Sequence, residues 1–226
     1  MFQSRKKANT YRNVGILFLL PALLSFLIGL VSSSVVAYLV ALLLFIASVF
    51  FFENHTTWGS GAEGEEKVAG YLNLLDDKYS VIHDVVLPGR IGNIDHIVLG
   101  SNGIFVIETK NHKGYITCNG DWWKQRKIGR RGTPYLGNIG NPSKQVKRNA
   151  VLLNRFIQNH FRINLYVNGI VVFTNEAARL KIISPTVAVL RPQELCDFIQ
   201  YYRSKTFVDI KLKELETTLK SYSCFS

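Results

Sequence analysis

Residues 93–110, NIDHIVLGSNGIFVIETK, are two apolar runs joined by Ser101-Asn102-Gly103. Asn-Gly between β-rich segments is a strong hairpin signal. Two registers satisfy it. With Ser101 and Asn102 as the turn, Asp95 stands directly opposite Glu108. With Asn102 and Gly103 as the turn, Asp95 faces Lys110. Side chains alternate along a strand, so all three share one face under either register. Two acids and a lysine among isoleucines and valines call for an explanation. Carboxylates about 4 Å apart repel by roughly 4 kcal/mol at an effective dielectric of about 20. Lys110 offsets that repulsion as an ion pair, and a divalent cation offsets it as a ligand, so the hairpin alone leaves both readings open. Mg2+ takes a few carboxylates and keeps several waters. Asp95 and Glu108 supply such oxygens, and the carbonyl of Thr109, between the key side chains, adds another.

Outward from the hairpin, residues 61–226 read as helix, antiparallel strands, helix, then strand and helix, a mixed α/β architecture. The expected elements are a helix over 61–75, a strand over 79–87, the hairpin, and a strand over 114–118 turned at Asn119-Gly120. A basic, glycine-rich loop over 124–142 follows. A helix capped by Ser143 then runs to 161, with Val146, Leu153, Phe156 and Ile157 inward. Strands over 165–174 and 186–190, a helix from Pro192 to 202 and a last helix over 208–222 complete the reading.

Upstream, residues 14–52 hold no charged residue and are almost wholly apolar. As one helix they would be about 58 Å long, against a hydrocarbon core of about 30 Å. Two crossings turned at Ser32-Ser33-Ser34 fit instead, with Pro21 inside the first. Residues 1–13 are a basic N-terminus and 53–60 a short polar linker. Arg5, Lys6, Lys7 and Arg12 precede the first crossing, so the positive-inside rule places the N-terminus, and with it the 53–226 domain, in the cytoplasm of a two-crossing membrane protein. A cleaved signal peptide is disfavoured because a second apolar run follows at once.

The chain has 226 residues and a formal charge of +11. Its first 52 residues hold four of the 27 basic residues and no acid, which leaves 23 against 16, or +7, for the rest. That balance suits nucleic acid and anionic lipid equally. Cys118, Cys196 and Cys224 match no zinc spacing and no disulfide framework, as expected of reduced thiols. Lys124, Arg126, Lys127, Arg130 and Arg131 lie beside Trp122 and Trp123, and Lys144, Lys147 and Arg148 extend the charge along the next helix. Such a stripe can track a phosphate backbone.

Gly61-x-x-Gly64-Glu65, Ile94-Asp95-His96, Val106-Ile107-Glu108-Thr109-Lys110-Asn111 and Asn141-Pro142-x-x-Gln145 together resemble the nuclease-related domain, over roughly residues 58–175. The resemblance implies kinship with the PD-(D/E)xK nucleases and a restriction-endonuclease-like mixed sheet flanked by helices. It implies that Asp95, Glu108 and Lys110 are the Asp…Glu-x-Lys signature, with Glu65 an additional acid and Gln145 a supporting polar residue. The expected activity is Mg2+- or Mn2+-dependent phosphodiester hydrolysis, with DNA the expected substrate. Many relatives of this fold act as dimers, which leaves a homodimer open. The alternative is a nuclease-like module without catalysis that binds nucleic acid, anionic lipid or a protein at the membrane.

Overall fold

A computed structural model of the chain describes residues 1–89, 92–129, 131–203 and 212–224. It divides into two compact units, one of residues 1–62 apart from Phe2, the other of Glu63–Ser226 with Phe2. Helix α1 (Gln3–Ser32), in the first unit, and helix α2 (Val35–Leu72), whose residues to Ala62 belong to the first unit and the rest to the second, are both long and apolar enough to cross a membrane. Ser33 takes a left-handed φ of 53° between them, and the Ser34 hydroxyl accepts from the N–H of Ala37 at 3.4 Å. Such a side-chain acceptor satisfies one of the first N–H groups of a helix. Glycines admit large rings between these helices. A Cβ on Gly29 would come within 2.9 Å of Tyr38, and one on Gly15 within 3.3 Å of Phe52. Small residues let helix backbones approach in just this way. Residues 53–60, expected as a short polar linker, are helical and part of α2. Asn54, Thr56 and Thr57 turn their side chains back onto carbonyls three or four residues earlier, which satisfies them without leaving the helix.

Among the described residues, the second unit holds two sheets. The larger has the order β1-β2-β3-β7-β9. Strands β1 (Ser80–Val85), β2 (Ile94–Gly100) and β3 (Gly103–Lys110) pair antiparallel, and β7 (Val167–Phe173) and β9 (Ala188–Leu190) add in parallel. Every residue of β2 is buried, and β3 is buried through Glu108. The sheet is covered on both faces. Ile97, Leu99, Ile104 and Val106 belong to a core with helix α3 (Pro142–Phe161) and helix α5 (Leu212–Lys220). Val98, Phe105 and Ile107 form another with Val68 and Leu72 of α2 and Leu195 and Ile199 of helix α4 (Pro192–Tyr201). Burial on both faces explains why these strands read as continuous apolar runs rather than alternating ones.

The smaller sheet, ordered β6-β5-β4-β8, was legible in the sequence only at β4. The stretch expected to be a loop over 124–142 contains most of β5 (Trp122–Ile128) and all of β6 (Pro134–Gly137). Strand β4 (Gly114–Asn119) fulfils its expectation, and β8 (Ala178–Ile183) is an addition. The parallel pair β3 and β7 runs through two short connections into the parallel pair β4 and β8. Thr174 donates to the Lys110 carbonyl at 3.0 Å and Gly114 to the Ala177 carbonyl at 3.1 Å, so the ladder barely breaks. The small sheet therefore grows out of the end of the large one that carries Lys110. The last helix starts at Leu212, and residues 208–211 of its expected span lie outside the described residues, as does Arg130.

Candidate functional site

The hairpin resolves to the first register. Gly100 pairs with Gly103 and His96 with Ile107, so Ser101 and Asn102 are the turn. Carried one residue further, that register sets Asp95 opposite Glu108. Asp95 is 8% and Glu108 2% exposed. The Thr109 N–H donates to Asp95 Oδ2 at 2.8 Å, which ties the acid to the neighbouring strand. Lys110 Nζ donates to Glu108 Oε1 at 2.7 Å and to Gln145 Oε1 at 3.1 Å. Asp95, Glu108, Lys110 and Gln145 thus form one connected group at the end of β3, against the first turns of α3.

Each sequence block has a local reason. Asn141 rather than Ser143 caps α3, its side chain accepting from the Lys144 N–H, because Pro142 occupies the first helical position. The Ser143 hydroxyl instead accepts from Trp123 Nε1 at 2.8 Å, pinning β5 to the helix start. Gln145 follows one turn in, where it meets Lys110. Gly64 admits the end of the large sheet. A Cβ there would lie 3.0 Å from Asn111 Cβ, 3.0 Å from Thr174 Oγ1 and 3.2 Å from Thr109 Cγ2. The absent side chain permits the close approach and brings Glu65, next along the helix, within electrostatic reach of Asp95.

The electrostatics follow from burial. The Asp95 carboxyl is held well above the usual carboxylate range, first by desolvation, then by the charges of Glu108 and Glu65; the Thr109 N–H and Lys110 oppose the rise. A cation beside Asp95 would relieve this strain directly. His112, not singled out by the sequence, is held below the ordinary imidazole pKa by burial and by Lys110 and Lys127, which leaves it neutral near the lysine. His96 points the other way, fully buried, with its Nδ1 2.7 Å from Nδ1 of His83.

Among the described residues, no group of three or more His, Cys, Asp and Glu side chains is placed to hold a metal. The donors that could hold one are the two buried carboxylates of Asp95 and Glu108 on paired strands, hard oxygens of the kind Mg2+ selects. The basic residues divide. Lys124, Arg126, Arg131, Lys144 and Arg148 are exposed and Lys127 is half-buried. Lys147 is drawn into an ion pair with Asp121 at 2.8 Å. Of the paired tryptophans, Trp123 stacks on Phe173 at 5.7 Å, while Trp122 is 80% exposed. The three cysteines are free.

The profile of the nuclease-related domain, NERD, matches residues 60–174. An uncharacterized protein of Bacillus anthracis is 40% identical over 82 residues. That segment is 34% of this chain and 38% of the relative, so the match spans little more than a third of the relative's length. No solved structure matches significantly.

Proposed function

We propose, from the premise that this chain belongs to the nuclease-related domain family within the PD-(D/E)xK-like nucleases, that it is a membrane-anchored nuclease hydrolysing phosphodiester bonds in DNA with the aid of Mg2+ or Mn2+. The observation that carries this reading is the buried Asp95–Glu108 pair with Lys110 held at 2.7 Å from Glu108 and 3.1 Å from Gln145. A divalent cation, when bound, supplies positive charge where the phosphoryl oxygens gain negative charge and lowers the pKa of a coordinated water. Asp95, Glu108 and the Thr109 carbonyl would hold it.

Lys110 then orients the attacking water and offsets charge on the phosphate, and Gln145 fixes the direction of its ammonium. Glu65 serves as the outer acid. Lys124, Arg126, Lys127, Arg130, Arg131, Lys144 and Arg148 receive the nucleic-acid backbone. Lys147, engaged by Asp121, is set apart from them. The apolar segment 14–52 anchors the chain with the domain in the cytoplasm, on the positive-inside argument.

The test is cleavage of plasmid and single-stranded DNA by the detergent-solubilised full chain with Mg2+, Mn2+ or EDTA. Wild type cuts only with metal, while Lys110→Ala and Asp95→Ala do not cut and Lys110→Ala still binds. Equal, metal-independent behaviour of all three proteins overturns the enzyme. A reporter fused after Ser226 that is reached from outside the cell overturns the topology.

A further inference from the structure

The outer face of the small sheet is set in rows. Arg179, Tyr115, Arg126 and Leu136 are successive partners across β8, β4, β5 and β6. Lys181, Thr117 and Lys124 form the next row, and Ile183, Asn119 and Trp122 the last. Residues two apart on a strand share a face, so four cations and two aromatic rings project together. The intervening residues Ile116, Cys118 and Gln125 are buried beneath. All four cations are exposed, Trp122 is 80% exposed and Tyr115 42%. Among the described residues, none of these cations enters an ion pair. The acids that flank the strands, Asp121 and Glu176, are taken by Lys147 and Lys67.

At the end of the face nearest the hairpin, a cavity of about 680 Å³ is lined by Lys113, Tyr115, Arg126, Lys127, Tyr135 and Arg179 among others. Gly114 is four residues from Lys110, so the strand begins within roughly 14 Å of it.

We propose that this face binds single-stranded nucleic acid, with phosphates on Arg126, Arg179, Lys124 and Lys181 and unpaired bases stacked on Tyr115 and Trp122. It rests on the nuclease reading and deepens it: the face presents a strand to the Asp95–Glu108–Lys110 group. A duplex offers the cations its phosphates but hides its base faces from the rings, so ring and cation alternating in one row select an unpaired strand. An anionic lipid surface would also attract cations and an exposed tryptophan. A concave, tyrosine-walled cationic cavity beside the hairpin suits a nucleotide better than a flat headgroup layer.

The experiment uses the full chain in detergent with EDTA, so that binding is read without cleavage. Anisotropy of a labelled oligothymidylate gives the affinity. Trp122→Ala and Tyr115→Ala each weaken it about tenfold, while Trp122→Phe restores most of it, and a duplex of the same length is much less affected. Trp122 is too exposed for its loss to disturb folding, so that variant stands even if Tyr115→Ala unfolds.

Wild-type affinity in both alanine variants overturns the proposal, and so does the absence of oligothymidylate binding by wild type. A Trp122-dependent emission shift on phosphatidylserine vesicles but not on the oligonucleotide also overturns it, in favour of a lipid surface. Cleavage separates the two readings. Metal-dependent cutting with unaltered binding in the alanine variants sinks this proposal alone. Ring-dependent binding without any cutting sustains it and sinks the nuclease.

Discussion

The two sheets of the second unit each contain a parallel pair, β3 with β7 and β4 with β8, and have little else in common. In the five-stranded sheet, β2 and β3 are buried on both faces, and the charged residues Asp95 and Glu108 are buried with them. In the four-stranded sheet, one face is packed and the other carries its charges into solvent. Charge in the first is costly and must be compensated locally, by Lys110, by a proton on Asp95 or by a cation. Charge in the second costs nothing to keep and is available to a partner. On the functional reading above, one sheet does chemistry and the other holds substrate.

The largest difference should appear in cleavage. Lys110→Ala removes the ammonium that the proposed mechanism sets beside the phosphate and should lower the rate about 10²–10⁴-fold, the range for a positioned acid–base or charge-stabilising group. Trp122→Ala should lower it by no more than about tenfold, with the loss recovered at high substrate. Steady-state rates on single-stranded DNA decide this. A tryptophan variant as dead as the lysine variant would erase the division of labour.

Stability should divide along the same line. Ile107 is fully buried between β3 and the α2–α4 layer, so Ile107→Ala should cost about 2–5 kcal/mol through lost burial and a residual cavity. Trp122→Ala should stay within about 0.5 kcal/mol, as surface changes do. Thermal unfolding of the solubilised chain, followed by tryptophan emission, measures both.

That contrast also explains what the sequence disclosed. Ile94–Gly100 and Gly103–Lys110 are legible because burial on both faces writes an unbroken apolar run. Trp122–Ile128 is not, because its buried centre is Gln125, whose amide donates to the Lys113 carbonyl at 2.8 Å, so a polar residue fills the position where a hydrophobic one would mark a strand. Strand β8 is marked more weakly than β2 or β3 because Arg179 and Lys181 face solvent and its inner Leu180 and Ile182 are only half-buried. At the site, the alternation of side chains put Asp95, Glu108 and Lys110 together from the start, but the Asn-Gly dipeptide did not choose between the two registers. Glu65 needed the most help. Its nearness to Asp95 depends on Gly64 meeting Asn111 and Thr174, residues distant in sequence, and such tertiary closeness leaves no periodic trace.

The buried pair makes its own prediction about pH. Asp95 in the folded protein keeps a proton that the unfolded chain releases. Between the ordinary carboxylate pKa and the raised folded value, the folded state therefore binds more protons, and the stability of the metal-free protein falls as pH rises. The fall is at most about 1.4 kcal/mol per pH unit. Asp95→Asn should flatten it. Mg2+ requires the carboxylate, so its stabilising effect should grow across the same window. Unfolding temperatures against pH, with EDTA or Mg2+, would reveal the slope; a flat metal-free profile would mean that the pair is not strained.

The smallest effect should separate two kinds of cation that look alike in the sequence. Each phosphate neutralised on a single strand contributes about 0.7 to the slope of log affinity against log salt. Arg179 projects from the open face with no ion-pair partner among the described residues, so Arg179→Ala should reduce the slope by about that amount. Lys147 lies in the same basic stretch of sequence as the residues expected to track a backbone, yet its ammonium is held by Asp121. Lys147→Ala should leave the slope unchanged. A salt titration of oligonucleotide binding reads both variants side by side. If Lys147 carries the slope and Arg179 does not, the contact surface runs along α3 rather than across the small sheet, and the ring-and-cation rows are only a solvated face.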